Sequence, residues 1–377
     1  MYFPGLNGLR FLAALAVVVT HIELLKAQYL KPNLWQNNKL VYELGPLGVI
    51  FFFVLSGFLI TYLLLKEKEK TNTVSIMKFY IRRILRIWPL YFLIIVIGFF
   101  LLPNFKIFEH GYFTKYFKEN FFSNLLLYIL ILPNLAFSLF KPVPHIGQLW
   151  SIGVEEQFYL MWPWLVKWSK RLLPVLFGVI IVCIFFKIVV QFLVMSDPDN
   201  DTLSQIKTFV ATLKFESMAI GGIGAWCVHN DKYYRIFLSN AALICSLVLI
   251  IISIYFTPPI IQDGIFIIQS VLFLVVILNV SCNTNSVIKI ENRLFVMLGN
   301  ISYGIYMYHM IIIALVIIVF NKFNVEVSNN LLPQVMLYGL CIGLTILISW
   351  LSYKYFESFF VKLKRKSTII ESGSQNE

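Results

Sequence analysis

The chain has 377 residues, 59% of them hydrophobic and 13% charged, with a mean hydropathy of +0.79. An ordinary globular domain is about 45–50% apolar and about 25% charged, so the composition is not that of a soluble enzyme. The formal charge of +12 would suggest nucleic acid in a soluble protein, but Lys and Arg in short loops also orient membrane helices.

Ten stretches of roughly 20 mostly apolar residues are predicted to cross a bilayer. They are 9–25, 45–65, 87–102, 150–166, 172–195, 208–228, 237–256, 264–281, 294–320 and 332–355. The opening segment holds Arg10 inside its apolar run and lacks a short apolar core followed by a small-residue cleavage site, which predicts a retained helix. Within that helix Arg10 and His21 are 11 residues apart. At about 100° per residue they lie within about 20° of one face and about 16 Å apart along the axis. A cation near one end and a titratable imidazole past the midplane suit a functional site, or a polar residue bonded to a neighbouring helix.

The next informative segment, 66–86, holds Lys66, Lys68, Lys70, Lys78, Arg82, Arg83 and Arg86. Arg83 and Arg86, at i and i+3, share a helix face where the third span begins. A guanidinium pair there suits a polyphosphate ligand, because Arg binds phosphate bidentately and keeps its charge; a topogenic anchor or a contact with anionic lipid fits the spacing as well.

An eleventh apolar stretch, 121–140, is interrupted by Asn124, Pro133 and Asn134. Three basic clusters decide its status: 66–86, then Lys167, Lys170 and Arg171, then Lys362, Lys364, Arg365 and Lys366. If all three are cytoplasmic, the number of crossings between successive clusters is even, so 121–140 is a re-entrant or interfacial element. Both termini are then cytoplasmic. Allowing for Glu67 and Glu69, the clusters carry +5, +3 and +4, which accounts for the whole +12. The charge therefore reports orientation and argues against a nucleic-acid partner.

Residues 149–159 read LWSIGVEEQFY. Ser151 and Glu155 share a face at i and i+4, and the adjacent Glu156 has no packing rationale at the start of an apolar span. A capping box led by Ser151 explains a Glu three residues along better than one four along. Further on, Lys187 and the pair Lys214 and Glu216 are lesser candidates. Residues 302–310 read SYGIYMYHM, where Ser302, Tyr306 and His309 form one polar stripe on an apolar helix. Such a stripe also serves as helix-to-helix glue. Cys183, Cys227, Cys245, Cys282 and Cys341 lie in or beside apolar segments without a CxxC pair, so neither a metal site nor a disulfide is expected.

The expected architecture is all-α: a polytopic membrane helix bundle of about ten transmembrane helices plus the segment at 121–140. One membrane domain spans 1–361, and 362–377 form a short cytoplasmic tail.

Five motifs in order resemble the integral-membrane acyltransferase family 3 over nearly the whole chain. They are the R-x10-H helix of Arg10 and His21, GVIFFFVLSGFLI at 48–60, RILRIWPLY at 83–91, WSIGVEEQFY at 150–159 and ISYGIYMYH at 301–309. The resemblance implies an enzyme that moves acyl groups, most often acetyl from acetyl-CoA, to hydroxyls of carbohydrates or other acceptors. It makes Arg10 and His21 the essential pair, Arg83 and Arg86 the RxxR pair, and Ser151, Glu155 and Phe158 the SxxxExxF stretch. The family's Glu-x-Pro signature is incomplete here, since Glu357 is followed by Ser358 and Phe359. Some relatives carry an extracytoplasmic SGNH-type domain, and the short end after the last span implies a stand-alone enzyme.

The expected reaction takes acetyl-CoA from the cytoplasm of a bacterial cell, held by Arg83, Arg86 and Arg10, with no metal. His21 is the general base on a carbohydrate hydroxyl or a transient acyl carrier, and Glu155 orients the imidazole. Membrane lipids and a surface polysaccharide or its lipid-linked precursor are the expected partners. The plasma (inner) membrane is the expected site. The oligomeric state, a homodimer included, stays open, as do the acceptor and the acyl chain length. The rival reading is a polysaccharide or lipid transporter, for which intramembrane charge is equally expected.

Overall fold

The computed structural model describes residues 2–29, 31–34, 38–109, 111–255, 262–325 and 331–365. Among them the secondary structure is entirely helical. Of the expected tail, residues 362–365 end the last helix and 366–377 lie outside the described residues. An all-helical solution follows from the solvent, because every backbone group in hydrocarbon must find its partner within its own segment.

Helix α1 (Leu6–Gln28) starts after Gly5, whose φ is 75°. Helix α2 (Lys39–Thr71) is capped by Asn38, whose side chain accepts from Val41 N, and it stops at Asn72 in the left-handed region. Helix α3 (Ile76–Val96) runs on through a π turn at Ile97–Leu101. Three short helices follow: α4 (Gly111–Glu119), α5 (Phe121–Ile129) and α6 (Pro133–Leu139). Then come α7 (Trp150–Trp168), α8 (Leu172–Ser196), α9 (Asp201–Thr212), α10 (Phe215–His229), α11 (Asn240–Tyr255) and α12 (Gln262–Cys282). The chain ends in α13 (Arg293–Asn300), α14 (Ser302–Lys322), α15 (Leu331–Ser352), a π turn at Tyr353–Glu357, and α16 (Ser358–Arg365).

Among the described residues seven helices are long and apolar enough to cross a membrane, where the sequence suggested about ten. Each difference has a local cause. The stretch 208–228 is divided between α9 and α10 at Leu213 and Lys214. The stretch 237–256 yields α11, whose described part has 16 residues, about 24 Å at 1.5 Å per residue. Helix α7 carries Glu155, Glu156 and Lys167 within 19 residues. The segment 121–140 breaks into α5 and α6, of nine and seven residues, around Ile131 at φ 61°. Neither piece reaches across a bilayer.

The centre of the bundle is α1, α2 and α14. In α2 and α14, 78% of the most apolar stretch is buried in protein, against 11% in α8. With lipid as apolar as the side chains, close packing drives helix association, and small residues let backbones approach. The α2–α10 crossing is the clearest case: a Cβ on Gly57 would come 1.9 Å from Met218 O, and one on Gly221 would come 2.0 Å from Val54 O. A second close approach, Gly299 on α13 against Asn7 at 2.3 Å for an added Cβ, docks α13 beside Arg10.

Candidate active site

A cavity of about 380 Å³ opens where α1 begins and runs into the bundle between α1, α2, α3, α7 and α14. Its wall brings together Arg10, Arg83, Arg86, Ser151, Glu155, Ser302 and Tyr306 from four separate stretches of chain. Tyr2, Phe3, Asn300 and Tyr353 line the same cavity as the arginines, as do Phe52 and Phe53 from the middle of α2 and Ser151 and Tyr306 from the first turns of α7 and α14.

The cations differ in what already holds them. Arg10 donates to Asn7 Oδ1 at 3.0 Å. Arg86 donates to Asn300 O at 3.3 Å, lies 3.7 Å from the Glu357 carboxylate and sits 5.8 Å over the Tyr303 ring. Arg83 lies 5.6 Å from the ring centres of both Phe79 and Tyr159. Its Nε is buried without a hydrogen-bond partner, and among the described residues it has no carboxylate within ion-pair distance. A half-satisfied guanidinium facing a cavity is a site for an anion, and phosphate oxygens match its fork.

On α7 the residues split between two faces. Ser151 does not cap the helix, which begins at Trp150. Its hydroxyl shares a 2.6 Å hydrogen bond with Tyr306, and Tyr306 donates to Gln148 O at 3.1 Å. Glu155 faces the cavity and accepts from the Tyr159 hydroxyl at 3.1 Å, while Tyr159 also bonds Ser56 on α2. Glu156 turns toward α3 and accepts from Trp88 Nε1 at 2.8 Å. Helices α3 and α7 run antiparallel, with Tyr80 donating to Leu160 O at 2.6 Å, which sets Arg83 level with Tyr159.

His21 lies outside the cavity wall, and its partner comes from α14. Its Nδ1 is 2.9 Å from Val17 O and 3.2 Å from His309 Nε2. His309 is fully buried, with Nδ1 2.7 Å from Tyr306 O. Tyr306 therefore touches the cavity with its hydroxyl and the histidine pair with its carbonyl. The expected Glu155–His21 contact is replaced by Tyr159 on Glu155 and His309 on His21.

The lesser candidates sit elsewhere. Glu216 pairs with Lys187 on α8 at 2.5 Å, and Lys214 covers the Phe266 ring at 4.1 Å. Ser302 is on the cavity wall, donating to Gly299 O at 2.7 Å. Tyr159, Tyr303 and Asn300 belong to the cavity but were not singled out from the sequence, although Tyr159 and Tyr303 fall inside two of the matched motifs. Glu357 is buried beside Arg86 despite the missing Pro, because the π turn at Tyr353–Glu357 rotates it inward. Among the described residues no group of three or more His, Cys, Asp or Glu is set to hold a metal.

The acyltransferase domain of family 3 matches residues 3–354. The chain belongs to acyltransferase family 3. A Staphylococcus aureus protein (strain COL) is 28% identical over 96% of this chain and 58% of its own length. The peptidoglycan O-acetyltransferase OatA of Listeria monocytogenes is 26% identical over 95% of this chain and 55% of its own. The O-acetyltransferase OatA of Staphylococcus aureus strain NCTC 8325 is 26% identical over 95% of this chain and 57% of its own. The chain thus spans somewhat more than half the length of these curated relatives. No solved structure matches. The family and its apolar helices make this a membrane protein, as expected from the sequence.

Proposed function

We propose that the chain is a membrane O-acetyltransferase that moves an acetyl group from acetyl-CoA to a hydroxyl of a cell-surface glycan. The single observation that supports this best is the course of the cavity. Three guanidiniums stand at one end, and at the other a hydroxyl pair, Ser151 and Tyr306, is one residue removed from the histidine pair. In this reading the arginines hold the phosphates of CoA and the thioester reaches toward Ser151 and Tyr306.

With the basic clusters on the cytoplasmic side, the arginine end opens to the cytoplasm and His21 lies toward the outside of the plasma membrane. His21 Nε2 takes the proton of the acceptor hydroxyl as its oxygen attacks the thioester carbonyl. The C–S bond breaks, and the CoA thiolate leaves with the proton returned from the imidazolium. One ester and one free thiol form from one alcohol and one thioester. Ten crossings, including α7, the α9–α10 pair and α11, keep both termini cytoplasmic in this topology. The acceptor is a polysaccharide or its lipid-linked precursor, and a peptidoglycan hydroxyl suits the named relatives.

The test uses purified protein in lipid nanodiscs with radiolabelled acetyl-CoA. Binding of CoA and slow release of acetate are expected, together with loss of O-acetyl groups from surface glycans, by mass spectrometry, in cells lacking the gene. Protein that neither binds CoA nor hydrolyses acetyl-CoA would favour a transporter instead.

A further inference from the structure

We infer that His309 is a positioning residue: with Val17 O it holds His21 in the tautomer and ring orientation that leave Nε2 free as the base. The inference rests on the reading of His21 as the base and goes beyond it in naming what orients the ring.

Hydrogen-bond accounting sets the direction. A backbone carbonyl only accepts, so the 2.7 Å contact with Tyr306 O puts the proton of a neutral His309 ring on Nδ1 and leaves a lone pair on Nε2. The same rule at Val17 O, 2.9 Å away, puts the His21 proton on Nδ1. That N–H then faces the His309 lone pair at 3.2 Å, with the ring centres 4.9 Å apart. The reverse arrangement would set the His21 Nδ1 lone pair against a carbonyl oxygen. The two rings form a directed chain: His21 Nδ1–H to His309 Nε2, and His309 Nδ1–H to Tyr306 O.

The two histidines are not equivalent. His309 is fully buried with both nitrogens engaged, so it has neither access nor a free lone pair. His21 is half-buried, and among the described residues its Nε2 has no partner. Val17 O alone, on the same helix, leaves the ring free to tilt. A second acceptor from α14 fixes the ring plane, and it continues to accept when the imidazolium forms. A neutral acceptor does this without adding a carboxylate at membrane depth, where an extra charge is costly. Because the carbonyl that orients His309 belongs to Tyr306, the base is tied to the residue that closes the donor cavity beside Ser151.

The test pairs a structural readout on wild-type protein with kinetics on variants. Histidine-labelled protein in nanodiscs, studied by solid-state ¹⁵N NMR, is expected to show both rings as the Nδ1–H form with a through-space correlation between His21 Nδ1 and His309 Nε2. A His21 ring protonated on Nε2 would overturn the inference without any mutation. His309→Gln keeps an acceptor for His21 and a donor for Tyr306 O, so it is expected to retain most of kcat. His309→Met keeps the volume but not the acceptor, so kcat is expected to fall about 10–100-fold, by analogy with the outer partners that orient metal-bound histidines. KM for acetyl-CoA is expected to stay unchanged. Wild-type kcat in His309→Met, with His21→Ala inactive, would refute the inference and leave the base assignment standing. Full activity in His21→Ala would refute both.

Discussion

Replacing Arg83 by Gln removes the cation whose environment is least complete. Arg86 already has Glu357 at 3.7 Å and Asn300 O at 3.3 Å, and Arg10 has Asn7, whereas Arg83 has two aromatic faces and an unpartnered Nε. A hydrogen bond to a charged group contributes about 1.5–3 kcal/mol. At about 1.4 kcal/mol per tenfold, the loss corresponds to a roughly 10–150-fold rise in Kd for CoA. Because Arg83 lines the cavity without anchoring a carboxylate, folding is expected to survive. Isothermal titration of CoA into wild-type and Arg83→Gln protein measures the change, and Arg83→Lys separates charge from fork geometry and aromatic stacking. If Lys restores most of the affinity, the contribution is a point charge; if it does not, the planar contacts carry it. A Kd for Arg83→Gln within twofold of wild type would refute the assignment of this cavity to the donor phosphates.

Other expected outcomes rest on separate contacts. Glu357→Gln frees Arg86 from a competing carboxylate 3.7 Å away, so CoA binding is expected to tighten, read in the same titration. Trp88→Phe removes the one hydrogen bond that the Glu156 side chain makes among the described residues, where its other oxygen is buried without a partner. The cost expected is about 1–3 kcal/mol of stability, seen as a lower melting temperature that Glu156→Leu in the Trp88→Phe background reverses. Gly57→Ala drives a methyl to 1.9 Å from Met218 O, so the α2–α10 crossing has to open, and a lower folded yield by fluorescence size-exclusion is expected at a cost of about 1–3 kcal/mol.

Much of the site was legible because its residues lie on helix faces. The 11-residue spacing of Arg10 and His21, the i, i+3 arginines of α3 and the i, i+4 Ser151 and Glu155 each follow from helical period alone. The structure brings all of these except His21 onto one cavity wall. The pairing of His21 with His309 was not legible, since the two are 288 positions apart and periodicity says which face a residue is on but not which helix meets it. The same limit made Glu155 look like the partner of His21, although a tyrosine one turn along on its own helix takes that carboxylate. The missing Pro after Glu357 obscured a residue that a π turn places against Arg86. Hydropathy reads one continuous span where a polar residue interrupts an apolar run, as Lys214 does between α9 and α10. Hydropathy averages over such a break, whereas the backbone turns there.

The most direct measurement compares wild-type and His21→Ala protein in nanodiscs for transfer of labelled acetyl from acetyl-CoA to a glycan hydroxyl, with CoA affinity measured on the same samples. His21 lies beyond the cavity wall that holds the arginines. The expected result is therefore transfer lost by at least about 10²-fold, the low end for a general base, with the Kd for CoA unchanged. Transfer at the wild-type rate by His21→Ala would contradict the assignment of the imidazole as the base.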